Sequence, residues 1–162
     1  MQRVRLDEID RRILAELQAD GRITNVELAK RVGISPPPCL RRLRALEEAG
    51  VVEGYAARIN AQALGYEVTV FAMVGLDSQA EADLKAFEER VRGWPYVREC
   101  HMLNGEIDFL LKIVAPDLAQ FQRFLTEKLT PAPHVASVKT SFTIRTSKSE
   151  AGVPLEVPGS PA

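Results

Sequence analysis

The sequence predicts an α+β protein in which an N-terminal winged helix-turn-helix precedes a ferredoxin-like βαββαβ domain. Three observations lead there. Apolar residues recur at helical spacing through the first 50 residues and stop at glycines; from Gly65 the pattern turns to β-branched, strand-like runs; and two amphipathic helical stretches separate those runs in the order β-α-β-β-α-β. This divides the 162 residues into a helix-turn-helix part at 1–60, a linker at 61–66, a βαββαβ part at 67–146 and a flexible tail at 147–162, where Ser, Pro and Gly replace apolar residues.

The first helix starts from an Asp7 cap and carries Leu6, Ile9, Ile13, Leu14 and Leu17 at i, i+3, i+4 spacing; Asp20-Gly21 ends it. Thr24 caps a short second helix, with Glu27 as its capping-box partner and Val26, Leu28, Ala29 and Val32 as its apolar positions. Gly33 stops it. Ser35 caps the third helix, whose first turn accommodates Pro36, Pro37 and Pro38 because early N–H groups lack intrahelical partners, and Gly50 ends it. Two helices joined by a turn of about three residues, after a first helix, is the helix-turn-helix plan. Residues 51–59 read as a short β-ribbon, or wing, running into the linker.

In the second part, residues 67–76 form a strand rich in Val, Thr and Phe, and Leu84, Phe87 and Val91 mark a helix. Strands at 96–103 and 107–114 flank the turn Asn104-Gly105-Glu106. Leu118, Phe121, Leu125 and Leu129 mark a second helix, and residues 135–145 close the sheet.

Composition excludes several classes. The longest apolar stretch, 68–76, is less than half the roughly 20 residues a membrane helix needs, and no signal-like apolar core follows Met1; the expectation is a cytoplasmic protein. Two cysteines, Cys39 and Cys100, and two histidines, His101 and His134, offer neither a disulfide framework nor metal-ligand spacing. An enzyme built on the ferredoxin-like half needs a positioned His or Arg beside a cofactor, and no cofactor motif is present, so the expectation is a non-enzyme with no cofactor and no metal. A net charge of −1 argues against bulk attraction to nucleic acid, yet residues 1–60 hold 11 Lys+Arg against 9 Asp+Glu while 61–162 hold 10 against 13. Any DNA-binding surface is therefore local, and Arg41, Arg42 and Arg44, in an acid-free stretch at 35–46, mark it.

At 100° per residue, Cys39, Leu43 and Leu46 share one face of the third helix, and Pro37, Arg41, Arg44 and Glu48 the opposite one. Only the second can meet DNA. Arg41 and Arg44 suit bidentate bonds to guanine or pairing with phosphate, and the sequence leaves both open. Ser35, Pro36 and Pro37 complete the candidate contacts at the helix start, where backbone N–H groups suit phosphate. Arg22, Thr24 and Asn25 open the second helix as a phosphate clamp. Arg42 lies off the face centre, free to meet a phosphate or an acid of the first helix. Cys39 reads as a small core residue.

The segments Leu6-Asp7-Glu8-Ile9-Asp10-Arg11-Arg12-Ile13-Leu14, Asp20-Gly21-Arg22-Ile23-Thr24, Gly33-Ile34-Ser35-Pro36-Pro37-Pro38-Cys39 through Leu46-Glu47, and Gly54-Tyr55 resemble the leucine-responsive and asparagine-responsive (Lrp/AsnC, feast/famine) regulators. Residues 99–112, with Asn104-Gly105-Glu106-Ile107-Asp108-Phe109, resemble that family's turn of the form Gly-acid-apolar-Asp-aromatic. The match runs in one register over residues 5–146. It implies a sequence-specific DNA-binding transcriptional regulator whose second domain senses a small effector, usually an amino acid. It also implies pairing through the sheet into homodimers that commonly assemble to octamers, with the effector between subunits near Leu103, Asn104, Gly105, Glu106 and Asp108. There Gly105 permits close backbone approach and Asp108 offers an anion to an ammonium group. Two departures stand out: Pro37 replaces a hydrogen-bonding residue on the DNA face, and the turn carries Glu106-Ile107 where many members have Asp followed by an aromatic residue. A low-specificity architectural binder is the alternative, recognised by a steep salt slope without sequence preference.

Overall fold

A computed structural model describes residues 4–155; residues 1–3 of the helix-turn-helix range and 156–162 of the expected tail lie outside the described residues. The chain forms two units, one of residues up to Arg58 together with those from Lys148 onward, the other of Ile59–Ser147.

The first unit holds α1 (Glu8–Ala19), α2 (Asn25–Val32) and α3 (Pro36–Glu48). Asp7 and Asp10 close a full capping box at α1. The box expected at α2 is only half made: the Thr24 hydroxyl accepts from the Glu27 N–H at 3.3 Å, but the Glu27 carboxylate accepts from Arg31 at 3.1 Å. A guanidinium one turn away is a stronger partner than a neutral backbone N–H. Gly33 ends α2 at φ 78°, a left-handed conformation that glycine adopts without steric penalty. Ile13, Leu28, Ala29 and Cys39 are fully buried in one core with Leu14, Val32 and Leu46, so each helix turns its apolar stripe to the same centre.

Two expectations fail in this unit. Residues 51–60 run without entering a strand; a ribbon needs a second strand for its hydrogen bonds, and the described residues of the unit supply none. The tail, expected to be flexible, instead lies against the helices as far as it is described. The Gln18 side chain brackets Val153, donating to its carbonyl at 3.0 Å and accepting from its N–H at 2.9 Å, and Leu155 packs on the helical core. Gly152 (φ 76°) makes the approach possible, since a Cβ there would stand 1.8 Å from Gln18 Oε1. One apolar anchor and one glycine in a polar segment do not alter its composition, which is why composition misses them.

The second unit opens with a 3-10 turn at Gln62–Leu64, then β1 (Val68–Leu76), α4 (Glu81–Arg92), β2 (Val97–Met102), β3 (Phe109–Ala115), α5 (Leu118–Phe124) continuing into a π turn at Leu125–Leu129, and β4 (Val135–Phe142). The sheet order is β2-β3-β1-β4 with every neighbour antiparallel, the ferredoxin-like arrangement. Alternation puts Val70, Ala72 and Val74 of β1 and Phe109, Leu111 and Ile113 of β3 into a core shared with Leu84, Phe87, Val91, Phe121 and Phe124 from the helices. The opposite face receives Phe71, Met73, Leu110 and Lys112, set side by side by the pairings Met73↔Leu110 and Phe71↔Lys112. Among the described residues no helix is long and apolar enough to cross a membrane.

Candidate nucleic-acid interface and effector turn

Pro36, Pro37 and Pro38 occupy the first three positions of α3, and Ser35 stands at its N-cap without a side-chain cap bond. The cause is in the sequence. A capping hydroxyl accepts from the N–H of the second or third helical residue, and both are proline here. The first available amide, that of Cys39, bonds to the Ser35 carbonyl at 3.3 Å. The expected backbone donors for phosphate at this helix start are therefore absent, and the exposed Ser35 hydroxyl is what remains beside half-buried Pro36 and exposed Pro37.

Asn25 is engaged within the chain. Its Nδ2 donates to the Pro36 carbonyl at 2.9 Å, stitching the start of α2 to the start of α3, while its Oδ1 is buried with no donor among the described residues. Thr24 spends its hydroxyl on the α2 cap. Arg22 remains exposed, its own N–H resting on the Asp20 carboxylate at 2.9 Å.

The three arginines of α3 separate. Arg41 and Arg44 are exposed and make no ion pair among the described residues. Arg42 turns back to α1, donating to Asp7 at 2.7 Å and Asp10 at 2.8 Å, the same carboxylates that cap that helix. Hydrogen bonds to Asp10 and Asp7 raise the Arg42 pKa further, and the Asp7 carboxyl is held below its usual range by the Asp10 N–H and by Arg42. Arg42 thus meets the acids of α1, one of the two partners the sequence left open to it. Cys39, fully buried, has its thiol pKa pushed up by burial and is a core residue. Periodicity gave no notice of Tyr55, whose hydroxyl donates to Glu47 of α3 at 2.8 Å; burial and that carboxylate push its pKa up to about 12.

In the second unit the β2–β3 turn is fixed by Asp108. Leu103 N–H donates to the Asp108 carbonyl at 2.8 Å, and Asp108 N–H donates to the Val74 carbonyl at 3.0 Å. The carboxylate accepts from Leu76 N–H at 2.6 Å and from Gln79 Nε2 at 2.8 Å. With one hydrogen bond to each oxygen from inside the chain, Asp108 braces the turn against the end of β1 and keeps lone pairs that can accept further. Leu103, Asn104, Gly105 and Glu106 are exposed, and a Cβ at Gly105 would meet nothing within 4 Å. The close approach expected at Gly105 thus does not occur within the single chain. Nearby, His134 holds φ 65°, with Nδ1 2.8 Å from Asp77 and Nε2 3.6 Å from Asp83. Among the described residues no group of three His, Cys, Asp or Glu could hold a metal ion.

Comparison with known proteins covers both units. The family model described as winged helix-turn-helix DNA-binding matches residues 6–53, and that of the Lrp/AsnC ligand binding domain matches residues 69–153. The chain is 61% identical over 146 residues to the leucine-responsive regulatory protein of Rhizobium meliloti (strain 1021), covering 90% of this chain and 94% of that one. It is 44% identical over 135 residues to the leucine-responsive regulatory protein of Escherichia coli (strain K12), covering 83% and 82%. A transcriptional regulator from Neisseria meningitidis, crystallised as a complex with L-Met, superposes with a TM-score of 0.89 at 38% identity, covering 93% of this chain and 97% of that one. An AsnC family transcriptional regulator from Agrobacterium tumefaciens gives 0.86 at 33% identity, with coverage of 93% and 97%.

Proposed function

Because the chain belongs to the Lrp/AsnC family of DNA-binding transcriptional regulators, we propose that Arg41 and Arg44 of α3 read its operator and that an amino acid held over the 103–108 turn is its effector. One observation carries the first part. Of three arginines on one helix, the two on the outward face have no acid partner among the described residues, while the third is tied to Asp7 and Asp10. Exposed, unpaired guanidiniums beside an exposed Pro37 suit the major groove, where arginine pairs bidentately with guanine. Ser35 and Arg22 flank them as phosphate contacts that fix register.

The effector class draws on the relatives: two are named leucine-responsive, and the Neisseria protein was crystallised with L-Met. Leu103, Asn104, Gly105 and Glu106 are the exposed atoms of the turn, and Asp108 shapes it from beneath. We further place the outer sheet face at a homodimer interface, with Phe71, Met73 and Leu110 at its centre, and expect such dimers to build an octamer. Two copies then present two α3 helices to half-sites about one helical turn, roughly 10 bp, apart. The compartment is the cytoplasm, beside the DNA.

Gel retardation tests this directly. Each bidentate arginine contributes about 1–3 kcal/mol, so the double variant Arg41→Ala/Arg44→Ala should bind operator at least about 30-fold more weakly while its elution volume stays constant. Wild-type retardation by that variant would refute the assignment.

A further inference from the structure

On the helix side of the second unit lies a cleft that neither the DNA-binding face nor the effector turn uses. It has a volume of about 420 Å³ and is bounded by the C-terminal end of α4 with the turn that follows, and by α5 with its π turn. None of residues 103–108 lines it.

The floor is aromatic. Trp94 and Phe124 meet edge to face with centroids 5.4 Å apart, and Tyr96 and Phe124 at 6.2 Å. Trp94 is only 9% exposed, and its indole N–H, which makes no hydrogen bond among the described residues, is open to solvent at the cleft and so free to donate to a bound acceptor.

The rim is cationic. Arg90, Arg123 and Lys128 line it, form no ion pair among the described residues, and are opposed there by Glu127 alone. Two uncompensated positive charges over an aromatic floor favour an anion with a flat apolar body; a cation is repelled, and a zwitterion must place its ammonium among the same charges. A second, independent feature marks the spot. The helix abandons α geometry at Leu125–Leu129 for a π turn, a distortion that recurs at functional sites, and this turn carries Glu127 and Lys128 to the rim.

We propose that this cleft binds a small aromatic carboxylate of the phenylacetate type, its ring on Trp94, Tyr96 and Phe124 and its carboxylate between Arg90, Arg123 and the indole N–H. Arginine pairs with carboxylate bidentately, and the volume falls in the roughly 300–1,000 Å³ range of small-molecule sites. The proposal is independent of the effector turn and of the operator-reading residues.

Trp94 is the chain's single tryptophan, so its emission reports the cleft. The full chain is titrated at constant ionic strength with phenylacetate, 2-phenylethylamine and L-phenylalanine. Phenylacetate should produce a saturable change in emission, with the amine and the amino acid at least about tenfold weaker, and Arg123→Gln or Arg90→Gln should each weaken phenylacetate binding about tenfold. Circular dichroism and elution volume of both variants should match those of the parent chain. Absence of a saturable change overturns the proposal, as does equal affinity for the amine or parent-like binding by two folded variants. A response that vanishes on dilution together with the assembly would put a second copy of the chain in the cleft, and overturns it too.

Discussion

His134 precedes β4 in a left-handed conformation that costs an L-residue about 1–2 kcal/mol. Two carboxylates hold it: the hydrogen bond to Asp77 raises the imidazole pKa above 6.5, and the charges of Asp83 and Asp77 add to the effect. A folded-state pKa above the unfolded one means that this stabilisation is complete below the unfolded value and disappears as pH rises through the folded one. In thermal melts, His134→Asn, which tolerates the left-handed backbone, should fall furthest below the parent chain near about pH 5.5 and close most of the gap by about pH 8.5. A gap independent of pH contradicts this role. The same dependence on neighbours explains what single residues in the sequence did and did not show. The basic cluster at 41–44 is legible as charge, but the separation of Arg42 depends on acids 32 and 35 residues earlier, beyond any local pattern. The uncapped Ser35 was legible in principle, because three prolines cannot donate.

β1 was legible as a run of Val, Thr and Phe, and its one buried and one open face give the alternation of Val70, Ala72 and Val74 against Phe71 and Met73. The π turn was not, since Leu118, Phe121, Leu125 and Leu129 keep a spacing an α-helix also satisfies. The absence of a strand at 51–59 follows from the same limit: extended sequence shows that a strand is possible, not that it has a partner. The β2–β3 turn depends on a single side chain. Asp108→Ala strands the Leu76 N–H and the Gln79 amide, each group left without a partner costing about 1–3 kcal/mol where buried and less where solvent reaches it. The expected outcome is a regulator that still retards operator DNA but whose retardation no longer responds to the effector amino acid. A response of undiminished amplitude would disconnect this turn from effector binding.

For the whole chain, the outer sheet face is the surface that asks for a partner. Phe71, Met73 and Leu110 form its apolar centre, and Glu99, joined to Lys112 at 2.7 Å, lies toward the β2 edge, an apolar core with a polar rim. Met73→Glu places a charge at that centre, so sedimentation at micromolar concentration should show monomers in place of the parent assembly, with operator binding weakened because paired half-sites are no longer engaged together. An unchanged mass would move the interface elsewhere. The bracket between Gln18 and Val153, with Leu155 behind it, makes the helical unit discontinuous along the chain. Its helices leave the ribosome before the second unit and its closing segment after it. At about 5–20 residues per second, the nascent helices wait roughly 4–18 s while residues 59–147 are made. A chain released before Gly152 therefore carries three helices that lack this anchor, and the half that meets DNA is finished only after the whole of the other half has been made.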